Sequence, residues 1–213
     1  MGKIDLYLIG VNHSDPLHRR ELLCRIRTLA EQNPGAPAFI AVEYDKDIFE
    51  WIVRQRPKFR LLLKEKWPDL TVDELDDLDK SLAYDGDSHL DIFPEAQTVW
   101  LDSGRPFPPH WDRDSPCVVS ERFNHFQDCL KHKSLHENLP FLSECVRNEA
   151  NYTRMDSDRS RKFAEMILAA LAAHSPGWAF SITGAAHAKE GTSGSMANIL
   201  SDKGVNFEVR IIC

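Results

Sequence analysis

Two short segments of this 213-residue chain share one form: an apolar run, a glycine, two small or polar residues, then a histidine. They are Gly10-Val11-Asn12-His13 and Gly184-Ala185-Ala186-His187. A third apolar run, Phe39-Ile40-Ala41-Val42, leads straight into Glu43. Two imidazoles and one carboxylate are a common donor set for a divalent transition metal, with positions left over for water and substrate. Manganese, cobalt or zinc held by His13, Glu43 and His187 would lower the pKa of bound water and polarise a carbonyl, which is metal-assisted hydrolysis. The same groups can also act without metal, one histidine as general base and the carboxylate orienting it. Each residue has a plainer reading too. A histidine in a glycine turn can serve packing, and Glu43 can cap the next helix or pair with an arginine, because a carboxylate that finishes a buried strand needs a partner.

Such chemistry requires the three residues to meet at one edge of one sheet. Five runs read as strands: Ile4 to Ile9, Ala38 to Val42, Thr98 to Leu101, Trp178 to Thr183 and Val205 to Ile212. The first four are nearly continuous apolar or β-branched stretches, as expected of strands covered on both faces. After the first, Asp15 and Pro16 suit the N-cap and first position of a helix whose stripe is Leu22, Leu23, Ile26, Leu29 and Ala30, stopped by Asn33, Pro34 and Gly35. Ile4 to Val42 is therefore a βαβ unit with parallel strands and a right-handed crossover. In an open α/β sheet the ligand crevice lies at the carboxyl ends of such strands, where both glycine-histidine turns and Glu43 fall.

The middle of the chain reads as more helical. Asp47 to Arg56 is amphipathic, with Pro57 expected to interrupt it. Pro68 separates it from a helix opened by a Thr71/Glu74 capping box. In that helix Asp73, Glu74, Asp76, Asp77 and Asp79 alternate with Leu75 and Leu78, the pattern of a solvated face. Gly104 to Pro116 reads as a loop. Further helices are expected from Ser115-Pro116, over Leu139 to Met155 and over Arg159 to His174. The fold class expected is α/β: a central, mostly parallel sheet of about five strands flanked by helices, one domain over 1–213 with a helical insertion at about 45–95.

Composition narrows the function. The 33 acidic residues exceed the 26 basic ones, for a net charge of −7, and no long basic block is present, so nucleic acid is a poor partner. Five scattered cysteines, without a C-x-x-C pair, argue against a disulfide framework or zinc ribbon and fit a reducing cytoplasm. Neither a leader nor an apolar stretch of membrane-spanning length is seen, so no membrane partner is expected.

The ordered set G-V-N-H, V-E-Y-D, L-D-S-G-R-P, R-N-E-A-N-Y-T-R-M and G-A-A-H resembles the Tiki/TraB superfamily, which also includes relatives of erythromycin esterases and haem-binding lipoproteins. The motifs run from Gly10 to His187, so the similarity covers nearly the whole chain. The resemblance implies a central site of His13, Glu43 and His187, with Arg147 and Asn148 lining it. There Arg147 would hold a substrate carboxylate or stabilise developing negative charge; the plain alternative is a surface ion pair. Asp102 and Arg105 match the segment after the third strand, although Ser103 and Gly104 separate residues that are adjacent in much of the family. Asn148 stands where many relatives carry aspartate, and an amide cannot supply charge to a metal. The membrane segment of many TraB-type relatives is not seen. The function implied is a hydrolase, by resemblance most like the metal-dependent Tiki peptidases, acting on a peptide or small-molecule acyl substrate. Alternatives are a metal-independent ester hydrolase with a histidine base, as in the erythromycin esterases, and an iron- or haem-binding protein.

Other candidates carry less. Lys189 to Gly194 lacks the G-x-x-x-x-G-K-[ST] pattern of a phosphate loop and reads as a loop bordering the pocket beside His187. Ser193 lacks the G-x-S-x-G setting of a nucleophile. His132 and His136, four apart, sit in polar surroundings that suit a surface, and Cys145 suits packing.

Overall fold

In the computed structural model of the chain, which describes residues 4–11, 18–81, 89–104, 157–174 and 176–212, the five apolar runs form one sheet. Its strands are β1 (Ile4–Val11), β2 (Ile40–Val42), β3 (Thr98–Trp100), β4 (Gly177–Gly184) and β5 (Phe207–Ile211). All pair in parallel, in the order β3-β2-β4-β1-β5. Helices α1 (His18–Gln32), α2 (Lys46–Lys66), α3 (Val72–Ser81), α4 (Ser157–Ala173), α5 (Ala185–Ala188) and α6 (Met196–Asp202) are arranged around it. The helices expected from Ser115 and over Leu139 to Met155 lie outside the described residues.

The continuous apolar runs are explained by burial on both sides of the sheet. Ile9, Val11, Phe180 and Ile182 meet Leu22, Ile26 and Leu29 of α1, Phe49 and Leu63 of α2, and Leu75 of α3 in one core. Leu6, Leu8, Phe39 and Ala41 meet Phe163 and Ile167 of α4 and Met196 and Leu200 of α6 in the other. The chain steps from β1 to β2 and on to β3 in one direction along the sheet, then from β3 to β4 and on to β5 in the opposite direction. Helices of the first direction cover one face and those of the second cover the other, which is what crossovers of a single hand require. β1 and β4 are thus neighbours whose onward connections leave over opposite faces. A ligand crevice in such a sheet opens outside the carboxyl ends of that pair. The stretch over about 45–95 supplies the connection between β2 and β3.

Pro57 does not end its helix: α2 runs from Lys46 through Pro57 to Lys66. A proline inside a helix costs about 3 kcal/mol. Phe49 before it and Leu63 after it are both buried in the same core, and full burial of such a side chain is worth about 1.5–3 kcal/mol each. Pro57 and Val53, between which the helix hydrogen bond is missing, are both exposed, so the break falls on the solvent side of α2. Tertiary packing outweighs the local break. The Thr71 box forms as read, with the Thr71 N–H donating to Glu74 Oε2 at 3.0 Å and the Glu74 N–H donating to Thr71 Oγ1 at 3.3 Å. Asp76 of the acidic run pairs with Arg60 of α2. No helix among the described residues is long and apolar enough to cross a membrane.

One buried histidine makes stability depend on pH. His89, in the turn before β3, has no exposed surface. Its Nε2 lies 3.1 Å from Thr98 Oγ1, and its Nδ1 has no partner among the described residues. Burial pulls its pKa from 6.5 down to about 4, against a smaller opposing pull from Asp91. Between those values the unfolded chain binds the proton and the folded chain does not, so acid favours unfolding. The stability is fully present above the unfolded value and is lost as pH falls toward the folded one. The expected loss is about 3 kcal/mol by about pH 4, of which about 2 kcal/mol is gone by about pH 5. Urea unfolding of the wild type and of His89→Gln at about pH 7 and about pH 5 checks this, since the variant should lose much less on acidification. Equal losses in both proteins would assign the acid sensitivity to other groups.

Candidate functional site

Glu43 is fixed by a sheet ladder that continues one residue past β2, where its N–H donates to the Ile182 carbonyl at 3.0 Å. Its Oε2 accepts the N–H of Gly184, the first residue of the second glycine-histidine motif. Its Oε1 receives Arg159 Nη2 at 2.9 Å and lies 3.7 Å from His187 Nε2. The same ladder logic sets Asp102 beside it. Leu101 and Asp102 donate their N–H groups to Val42 and Tyr44, at 2.9 and 3.2 Å. Asp102 Oδ1 then accepts Arg159 Nε at 2.8 Å and Oδ2 accepts Nη2, a forked, charge-assisted pair. The chain leaves Asp102 through Gly104, at φ +81°, a left-handed conformation that glycine adopts without steric cost. The Gly104 N–H donates to Asp45 Oδ2 at 2.9 Å.

The opposing wall is the first turn of α4. Arg159 lies with its guanidinium carbon 5.2 Å from the Phe163 ring centroid, and the Phe163 ring is 5.1 Å from that of His187. Ser160 Oγ is 2.8 Å from His187 Nδ1. His187 itself rides on α5, a single helical turn that begins as soon as β4 ends. That turn can lie on β1 because residue 10 is glycine. A Cβ there would come within 3.0 Å of both Ala185 Cα and Ala188 Cβ.

The cluster is buried: the side chains of Glu43, Asp102 and His187 are 8%, 7% and 5% exposed, and Arg159, at 17%, is its wettest member. Burial works against the charged guanidinium. The hydrogen bond to Asp102 and the charges of Glu43 and Asp102 outweigh it and hold Arg159 above its ordinary value. It stays a cation.

No family model, curated protein or solved structure matches the chain.

Of the residues singled out by sequence, Glu43, Asp102 and His187 come together. His13, Arg105, Arg147 and Asn148 lie outside the described residues; β1 ends at Val11, two positions before His13 and paired with Gly184. Arg159 and Ser160 were missed, though a signal exists. The apolar stripe of α4, Phe163, Ala164 and Ile167, continued back by one turn, lands on Arg159 and Ser160, so a charge and a hydroxyl extend a buried face. Glu43 realises the plainer of its readings, a carboxylate paired with an arginine.

That pairing bears on metal binding. Among the described residues, no group of three or more His, Cys, Asp or Glu side chains could hold an ion. The Glu43 oxygen that faces His187 is already in contact with a guanidinium, and a second cation there would be repelled at short range in a medium of low dielectric. The described side chains alone make no divalent-metal site, and His13, the third donor read from the sequence, lies outside them. What they can do is hold a neutral polar group between an imidazole nitrogen and a carboxylate, next to a fixed positive charge.

The loop after α5 is not a phosphate cradle. Its Gly191 N–H donates to Asn198 Oδ1 at 2.9 Å, Asn198 Nδ2 donates to the Thr192 carbonyl at 3.0 Å, and Ser195 caps α6 through the Asn198 N–H at 3.2 Å. The Gly191 donor that an anion would need is spent inside the loop.

Proposed function

We propose that this chain is a hydrolase of the Tiki/TraB type that cleaves an ester, peptide or other acyl bond of a small substrate, using a histidine base and no metal ion. One observation carries the reading: His187 Nε2 and Glu43 Oε1 stand 3.7 Å apart at the carboxyl ends of β4 and β2, beside the crevice position of this sheet topology. The pair is too far apart for a strong direct hydrogen bond and close enough for one water to touch both. As that water attacks a carbonyl carbon, its proton passes to Nε2, and the Glu43 carboxylate stabilises the imidazolium that results. The salt bridges of Arg159 use Nε and Nη2. Its Nη1 takes part in neither and is the nitrogen we assign to the negative charge that grows on the carbonyl oxygen. The paired G-x-x-H motifs and the glutamate after the second strand support the same reading by resemblance.

The test is hydrolysis of a panel of chromogenic esters and peptide amides by the purified chain. His187→Ala is expected to lower kcat/KM by about 10²–10⁴-fold, and treatment with a chelator to leave the wild-type rate unchanged. A rate that survives His187→Ala would count against the histidine base. A rate lost on chelation and restored by manganese, cobalt or zinc would return the site to metal chemistry.

A further inference from the structure

We propose that Ser160 is a positioning residue: its Oγ accepts the Nδ1–H of His187 and so leaves the Nε2 lone pair turned toward Glu43. The inference rests on the histidine-base reading above and adds the group that makes that reading workable. A neutral imidazole carries one proton, and only the nitrogen without it can accept another. For Nε2 to serve as base, Nδ1 must hold the hydrogen, and the orientation of the ring is set by what that hydrogen bonds to. Ser160 Oγ, at 2.8 Å, is the described group on Nδ1, and the serine has no exposed surface, so water does not replace it. When Nε2 gains a proton, Nδ1–H remains bonded to the same oxygen. The hydroxyl therefore serves both the resting and the protonated ring, which the methyl group of an alanine, having no oxygen, cannot do.

The backbone supports the assignment. Ser160 and Arg159 are consecutive in the first turn of α4, and Phe163, one turn on, packs against the His187 ring at 5.1 Å. One helical turn therefore fixes the ring by contact, its Nδ1 by hydrogen bond, and the carboxylate opposite its Nε2 by charge. Ser160 has no exposed surface, which separates its role from that of a nucleophile.

The experiment is ¹⁵N NMR of the histidine rings in the wild-type chain, with His187→Gln used to assign the His187 signals, and in Ser160→Ala and Ser160→Thr. The expected result is a His187 ring protonated on Nδ1 in the wild type and in Ser160→Thr, with the proton redistributed toward Nε2 in Ser160→Ala. The kcat of Ser160→Ala on whichever ester proves to be a substrate should fall about tenfold with little change in KM, and Ser160→Thr should restore it. A wild-type ring protonated on Nε2 overturns the proposal, and so does an alanine variant that keeps the wild-type tautomer. If Ser160→Ala does not fold, the wild-type spectrum alone still decides. That spectrum needs no substrate, so a failed tautomer assignment is distinguishable from a failed hydrolase reading, which is decided by the rate of His187→Ala.

Discussion

Arg159→Met is expected to cost about 3–5 kcal/mol of unfolding free energy and to abolish hydrolysis. The variant keeps an unbranched apolar stem but removes the guanidinium that Glu43 and Asp102 share and that lies over Phe163. Both carboxylates are more than nine-tenths buried, and a buried charge without its partner is far more costly than the intact pair is favourable. Arg159→Lys should recover only part of the loss, because an ammonium cannot make the fork to Asp102 and reach Glu43 as well. Denaturant titrations of the three proteins check this. A loss below about 1 kcal/mol would mean that the network behaves as a surface ion pair.

The second large effect is expected from a residue that touches no reacting group. Gly10→Ala introduces a Cβ that meets Ile211 Cδ1 at 2.5 Å, Ala185 Cα at 3.0 Å and Ala188 Cβ at 3.0 Å. The isoleucine tip can swing aside. The other two atoms belong to the backbone and stem of α5 and yield only if that turn moves. We expect a stability loss of about 1–3 kcal/mol from overpacking. Activity should fall by about 10²-fold, since His187 would be carried away from both Ser160 and Glu43 and a displacement near 1 Å has that effect on a reacting group. Ala188→Gly in the same chain makes room for the added methyl and should return much of both. A double-mutant cycle on stability and on kcat/KM measures that coupling. Native stability and rate in Gly10→Ala alone would refute the steric account.

How far the sequence spoke depended on whether the information was local. The strands were legible because a sheet covered on both faces demands nearly continuous apolar runs, and these are clear in Phe39 to Val42 and, interrupted by Ser181, in Trp178 to Ile182. Glu43 and His187 were legible because a polar residue that follows such a run, after or without a glycine, sits at a strand end. Pro57 was misread because the burial of Phe49 and Leu63 is a tertiary fact, which no local helix rule contains. Arginine was the hardest assignment. Arg147 and Arg159 both precede polar residues in segments whose sequence reads as helical, and the information that marks Arg159 is tertiary: the first turn of α4 lies over the ends of β2 and β3. That contact joins residues 57 or more apart. The strand order was hidden for the same reason: β1 and β2 are parallel as read, but β4 lies between them.

The position of β1 in the sheet sets a timetable for synthesis. Its two neighbours begin at Gly177 and Phe207, so a nascent chain carries this largely apolar strand, with both edges open, while nearly all the remaining sequence is still being translated. The adjacent α1 can coil early, but nothing supplies β1 with hydrogen-bonding partners until the last strands emerge. Aggregation during expression, and its relief by chaperones that bind extended apolar segments, should therefore be sensitive to β1 more than to any other element.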